Sequence, residues 1–589
     1  MLKIVSLFLL IVVIEVSLYI SIFHVSILDK GILNLVVYKE YINEYLVLSL
    51  LFILFYGRQK FLNFILIVLS IFIFIIDIIQ FLSYYYTDSF LTIDAFDNLS
   101  QILLFLNKTT IVSSMIFIIF ILIFIYFLMK VKIKDRLFSF MIILVLTTFN
   151  FYFYYLNKDK NDIFDEYNIE KGPVLNFIKV VKTYFTPLQI KNVKLTQKEK
   201  EFAVKHNLIH NLNSKYPLEK NYFYNKKLLD NNLSNKPNII VFFIESLSAK
   251  YVDVYNSNNK KITPNIDKLA KNSIIVRNYI NHSFPTIRGL YGQLCSLYPE
   301  FRVRDIVDNY KSYHFYNKKC LPSYLNNYNY HTVYLNHGNE ARQRIKYLAK
   351  SYGFLEMLFN RDIEKLIQEK PKHSLDSDMS DQQMAKAVIK YLKNYKQNKP
   401  LFMAISTIES HVGESLADDA VINKKLNDVE NSYYNVDNAL GKIFKYIKNS
   451  KYNKNTIIIV TGDHVRMEQY KKYNNSKIYG DLALVIYSPF IKHKNIYANS
   501  SSIDLAPTIL HLINYPNKKN SFLGKSIFEN DSNIAIGVTR DYGMFYSIYR
   551  DKKVVEAEQF SKPNNENSKM IYDILNYIFM LSSQNRIYK

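Results

Sequence analysis

Five long apolar runs crowd into the first 156 of 589 residues, at roughly 3–28, 41–56, 61–86, 110–129 and 137–156. The clearest, TIVSSMIFIIFILIFIYFLM (Thr110–Met129), has the about 20 residues that a helix needs to cross a bilayer. A signal peptide is the alternative for the first run, but no small-residue cleavage site follows it and four more runs do. After Leu156 the pattern changes. Short β-rich runs, Asn238–Ser246, His331–Gly338, Leu401–Thr407, Thr456–His464 and Leu482–Phe490, alternate with helix-period stretches at Thr263–Asn272, Asp381–Tyr395 and Val436–Lys448. Nearly continuous apolar strands suit a sheet covered on both faces. The pattern predicts three parts: a five-helix transmembrane domain over 1–156, a partly helical linker over 157–236, and an α/β layered domain over 237–589 with a central, largely parallel sheet. Within the linker, Val174–Phe185 (VLNFIKVVKTYF) has the spacing of a helix that lies on a membrane surface or packs on the soluble domain.

Basic residues orient the spans. Lys3, Arg58, Lys60, Lys130, Lys132, Lys134 and Arg136 fall in one set of loops, whereas the other set holds only Lys30, Lys39 and Lys108. The richer set is expected in the cytoplasm, which puts everything after Leu156 outside. Composition adds a formal charge of +23. No nucleic-acid motif accompanies it, and a basic surface equally suits anionic lipid headgroups, so no nucleic-acid partner is expected. Two cysteines, Cys295 and Cys320, are too few for a disulfide scaffold but can form one bridge outside the cytoplasm.

Candidate chemistry gathers at strand ends, where α/β sheets collect ligands. Glu245 ends the first predicted strand, His337 the second, and Asp463 with His464 the fourth. A single glutamate there is an ordinary helix cap, and TGDH an ordinary turn. Together, two carboxylates and an imidazole make a divalent-metal ligand set. The stretch NHSFPTIRGLYGQLCSLYP (Asn281–Pro299) places Thr286 at a helix start, where free N–H groups favour an anion such as phosphate. Thr286 is there either a helix cap or a metal-activated nucleophile.

The succession NIIVFFIES, ITPNIDKLA, SFPTIRGLYGQLCSLYP, HGN, SH, TGDH, IDLAPTILHL and FLGKSIF, over roughly 237–530, resembles the lipoteichoic acid synthase and phosphoglycerol transferase branch of the alkaline phosphatase and sulfatase superfamily. That resemblance implies an alkaline-phosphatase-like domain holding one divalent metal ion, manganese or zinc, on Glu245, Thr286, Asp463 and His464. It makes Thr286 the nucleophile and puts His411 and His337 on the substrate side. Arg344, shortly after HGN, is suited to a phosphate but does not fall on the family arginine. Val465 stands where relatives commonly have glycine, and the chain has no tryptophan. The implied activity transfers a phosphoglycerol headgroup from a membrane phospholipid donor to an envelope glycan or lipid acceptor through a phospho-threonine. The catalytic domain would face the periplasm or exterior of a bacterial cytoplasmic membrane. A phosphoethanolamine transferase is the near alternative. A sulfatase fits less well, because Arg288 lies one residue too late for a formylglycine motif at Ser283, and a phosphatase of this superfamily would need no five-span anchor. A catalytically dead scaffold is disfavoured because all four metal-site residue types are kept.

Overall fold

The computed structural model describes the helix Lys60–Thr87, isolated positions before residue 193, and residues 193–588. Excepted within that range are most of 222–235, 257–259, 300–318, 339–344, 373–377, 412–415, 467–480 and shorter breaks. The chain divides into two units, Met1–Pro187 and Leu188–Lys589. In the first, the third apolar run is one 28-residue helix, α1 (Lys60–Thr87). Its side chains Phe61, Phe64, Val68, Phe72 and Ile75 recur at helical spacing and are exposed. Among the described residues, no helix is long and apolar enough to cross a membrane. The first, fourth and fifth runs and nearly all of the second lie outside the described residues, as does most of Val174–Phe185.

The second unit is built on an eight-stranded sheet. Its strands are β1 (Asn238–Ile244), β2 (Ser273–Val276), β3 (His331–Asn336), β4 (Glu356–Leu358), β5 (Leu401–Ser406), β6 (Thr456–Gly462), β7 (Leu484–Tyr487) and β8 (Lys494–Ile496), in the spatial order 8-2-7-6-1-5-3-4. β1 lies at the centre, parallel to β5 and β6. Its apolar run serves both faces by simple alternation. Ile239, Val241 and Phe243 join one core, and Ile240, Phe242 and Ile244 the other. On the second face pack α3 (Pro264–Ala270), α5 (Asp381–Asn394) and α6 (Asp428–Lys448); on the first pack α4 (Thr286–Cys295), α7 (Leu505–Leu512) and α8 (Glu566–Ser583).

The sheet is largely parallel, as expected, but mixed, because one strand, β7, runs antiparallel to both β2 and β6. An apolar run carries no information about strand direction. Sequence periodicity also gave no warning of the antiparallel sheet Ile534–Thr539, Gly543–Arg550 and Lys553–Phe560, which precedes α8. The helix α2 (Gln197–Lys205) begins on a Thr196–Glu199 capping box and buries Ala203 in the same core as α8. The later part of the stretch read as linker thus packs into this unit.

Candidate active site

The carboxyl ends of β1 and β6 lie side by side, and each delivers a metal-type ligand. β1 ends in Glu245, and the chain then turns sharply because Ser246 takes a left-handed φ of 56°. That turn aims two groups at neighbouring carboxylates. The Ser246 hydroxyl donates to Glu245 Oε1 (2.7 Å), and the Ser246 N–H donates to Asp463 Oδ1 (2.8 Å). Tyr433 from α6 donates its phenol to the Ser246 carbonyl (2.6 Å), which fixes the turn from below. β6 ends in Asp463 and His464. The His464 ring is oriented by a 2.7 Å hydrogen bond between Nδ1 and the Val465 carbonyl, which leaves Nε2 free as a ligand. Nε2 lies 3.4 Å from Glu245 Oε1 and 3.7 Å from Asp463 Oδ2.

α4 brings Thr286 to these groups. Thr286 is its first residue and Pro285 its N-cap, so the leading N–H groups have no intrahelical acceptor and face the site end of the helix. Thr286 Oγ1 donates to Glu245 Oε2 at 3.0 Å. Glycine at two positions permits this close seating. A Cβ on Gly289 would stand 2.2 Å from the Asp463 carbonyl oxygen, and one on Gly292 would stand 1.8 Å from His282 Nε2. Gln293, one turn on from Gly289, ties the helix to the end of β6 by donating to the Gly462 and Asp463 carbonyls (2.9 and 2.8 Å).

Glu245, Asp463 and His464 each offer one ligand atom, and these atoms lie within 4.8 Å of one another. All three residues are buried. Asp463 Oδ2 is buried with no hydrogen-bond partner, a costly state that a cation relieves. Electrostatics agree. Burial, then the Glu245 charge, push Asp463 up to about 7. Burial would lower His464, but the Asp463 and Glu245 charges lift it to about 9. Glu245, which burial would raise, is held well below the usual carboxylate range chiefly by His464. Two carboxylates and an imidazole competing for protons in a dry site, with a hydroxyl 3.0 Å from one of them, fit a divalent cation.

The other expected site residues are placed differently. His411 is partly buried and near enough for its charge to act on Glu245. Its turn is stitched to the glutamate twice: Thr407 Oγ1 accepts from the Glu245 N–H (3.0 Å), and the Ser410 hydroxyl donates to the Glu245 carbonyl (2.7 Å). His337, expected on the substrate side, is fully buried. Its Nδ1 donates to the Met379 carbonyl (2.5 Å), and its Nε2 lies 3.0 Å from Asp381 Oδ1, so both nitrogens face protein groups. The cause is the N-terminus of α5, which meets the end of β3 and covers the ring. Arg344 lies outside the described residues. His282 accepts from Ser502 Oγ at Nδ1 (2.5 Å) and donates from Nε2 to the Arg288 carbonyl (3.0 Å), and burial lowers it to about 3, so it is a neutral packing group. Cys295, at the end of α4, is bonded to Cys320.

Three contributors were not anticipated: Ser246, Gln293 and Arg466. Arg466 is buried two residues after His464; its N–H donates to Ser248 Oγ (2.9 Å) and its guanidinium to the Ser410 carbonyl (3.0 Å). Only Ser246, as the neighbour of Glu245, carried a signal in the sequence.

Residues 237–515 match the Sulfatase family model. No curated protein gives a match. Among solved structures the chain is similar to a protein in the alkaline phosphatase superfamily from Vibrio parahaemolyticus, at 16% identity over 68% of this chain and 100% of that one, with a TM-score of 0.53. It is also similar to the lipoteichoic acid synthase LtaP from Listeria monocytogenes, at 15% identity over 66% and 98%, with a TM-score of 0.48. A third is the phosphonate monoester hydrolase of Agrobacterium radiobacter, at 13% identity over 60% and 95%, with a TM-score of 0.39.

Proposed function

We propose, from the premise that residues 237–515 are a sulfatase-family domain of alkaline-phosphatase-like fold, that this chain is a membrane-anchored transferase of phospholipid headgroups, moving phosphoglycerol onto an envelope glycan or lipid. The observation that carries the reading is the Thr286 hydroxyl, at a helix N-terminus and 3.0 Å from Glu245 in a buried three-ligand cluster. A divalent cation on Glu245, Asp463 and His464, manganese or zinc, supplies Lewis acidity beside that hydroxyl. The start of α4 favours a phosphodiester's negative charge. Thr286 Oγ1 bonds to phosphorus as the bond from phosphorus to the diacylglycerol oxygen breaks, and the threonine proton leaves with diacylglycerol. An acceptor hydroxyl then attacks the same phosphorus, and Thr286 regains its proton. His411, beside Glu245, is placed to orient the phosphate or pass a proton.

The anchor and the location rest on the five apolar runs and their charge asymmetry. The Cys295–Cys320 bond supports an oxidising compartment such as the periplasm or cell exterior. Next to a membrane, the lipid donor is held at high effective concentration.

The test is mass spectrometry of the tryptic peptide Asn278–Arg288 after incubation of the full chain with Mn2+ and phosphatidylglycerol vesicles. A glycerophosphate adduct on Thr286, absent in Thr286→Ala, is expected. A phosphoethanolamine adduct from mixed vesicles would favour the alternative headgroup, and a formylglycine at Ser283 would turn the reading toward a sulfatase. No adduct, with Thr286→Ala still releasing diacylglycerol, removes Thr286 as the nucleophile.

A further inference from the structure

Beyond the metal cluster, the ends of β3 and β5 carry a second group of buried ionisable side chains that the proposed chemistry does not use. His337, Asp381 and Glu409 are all fully or almost fully buried. His337 Nε2 lies 3.0 Å from Asp381 Oδ1. Glu409, three residues beyond β5, accepts from Asn435 Nδ2 at Oε2, while its Oε1 and Asp381 Oδ2 are buried with no hydrogen-bond partner. Asn435 is itself held, because its Oδ1 accepts from Gln382 Nε2 (2.7 Å) and from the Val421 N–H (2.9 Å).

Burial, then the Asp381 charge, push Glu409 up to about 10. Burial would lower His337, but Asp381 and the Met379 carbonyl raise it. Asp378, also buried, and Asp419 are the further acids facing this group. On one side of this group, Asn435 of α6 holds Glu409.

Its other side is the turn 407–411. Glu409 sits in the middle of that turn, between Thr407 and Ser410, which grip Glu245, and two residues before His411, whose N–H donates to the Ile408 carbonyl (2.8 Å). We infer that Glu409 is a positioning residue whose side chain, held by Asn435, fixes the 407–411 turn and so holds His411 beside Glu245. This rests on the functional reading above for the role of His411, though not for the geometry.

The experiment uses the full chain in detergent with Mn2+, and the phosphodiester bis(4-nitrophenyl) phosphate as probe. Glu409→Gln keeps an acceptor for Asn435 Nδ2, so it should hold kcat to within about threefold of the parent, whereas Glu409→Ala should lose about tenfold or more in kcat with KM little changed. In the double variant with His411→Ala, the Glu409→Ala loss should vanish, because the two residues act as one unit. A second readout needs no substrate: the rate of diethyl pyrocarbonate modification of His411, followed by mass spectrometry, should rise in Glu409→Ala and not in Glu409→Gln. If the parent leaves the probe intact, the functional reading has failed, and the modification rate alone decides this inference. Additive losses, equal modification rates, or a Glu409→Gln as impaired as Glu409→Ala would overturn it. So would a second tightly bound Mn2+ that Asp381→Asn removes, since the array would then be an ion site.

Discussion

Ser246 donates its hydroxyl to Glu245 Oε1 across 2.7 Å while its own N–H holds Asp463 Oδ1, so one residue orients the carboxylates from two strands. Groups that orient metal ligands from behind commonly contribute ten- to a hundredfold in affinity. Ser246→Ala keeps the N–H contact and loses the hydroxyl. Mn2+ affinity should fall about tenfold, with the melting temperature of the metal-free protein little changed. Ser246→Gly should show the same loss, since glycine accepts the left-handed φ without replacing the hydroxyl. Metal titration of both variants checks this, and parental affinity in Ser246→Ala would remove the orienting role.

Gly289 should tolerate no side chain. Its missing Cβ would stand 2.2 Å from the Asp463 carbonyl oxygen, which is backbone at the end of a central strand and cannot step aside. Gly289→Ala must push α4 outward, which costs about 1–3 kcal/mol by the usual measure of overpacking and carries Thr286 away from Glu245. Urea unfolding should register the first effect and loss of Mn2+ binding the second. A variant with parental stability would show that the helix has room to move.

Much of this arrangement was legible in the chain because single positions carried it. Glu245, Asp463 and His464 end apolar runs, so their burial and their place at strand ends fall out of the hydrophobic pattern. Thr286 follows Pro285 and precedes a helix-period stretch, so its N-terminal place did too. The deeper groups were not legible. Asp381, Glu409 and Asn435 come from a helix start, a turn and the middle of another helix, and nothing local says that they meet. His337 reads as exposed chemistry at a strand end until α5 is seen to cover it. β7 shows the same limit: an apolar run reports burial and stays silent on direction.

The bond between Cys295 and Cys320 closes a 25-residue separation and ties the end of α4 to the residue before Leu321. Closing a loop of that size is worth about 3 kcal/mol in the chain-entropy model. The double variant Cys295→Ala/Cys320→Ala should therefore unfold at lower urea by that amount, with Thr286 still beside Glu245 and Mn2+ binding retained. Thiol labelling of the unreduced, denatured parent should find no free thiol. Two labelled cysteines would mean the pair is open and would weaken the case for an oxidising compartment.

Metal binding should depend on pH in a direction fixed by the same charges. A cation takes the place of ligand protons, so a ligand that holds its proton to higher pH makes binding weaker at low pH. Asp463 is pushed up to about 7 and His464 to about 9, whereas Glu245 is held low and has shed its proton well before either. At pH 6 both Asp463 and His464 must give up a proton to bind Mn2+; at pH 8 mainly His464 must. Affinity should accordingly rise with pH, more steeply below about 7 than between about 7 and 9, and level off above. Calorimetry in two buffers of different ionisation enthalpy should count more protons released at pH 6 than at pH 8. His464→Gln should weaken binding and leave a rise with pH set by Glu245 and Asp463 alone, shifted to higher pH because neither carboxylate then has the imidazolium beside it. An affinity that is flat from pH 6 to 9 would mean that these two residues do not hold the ion.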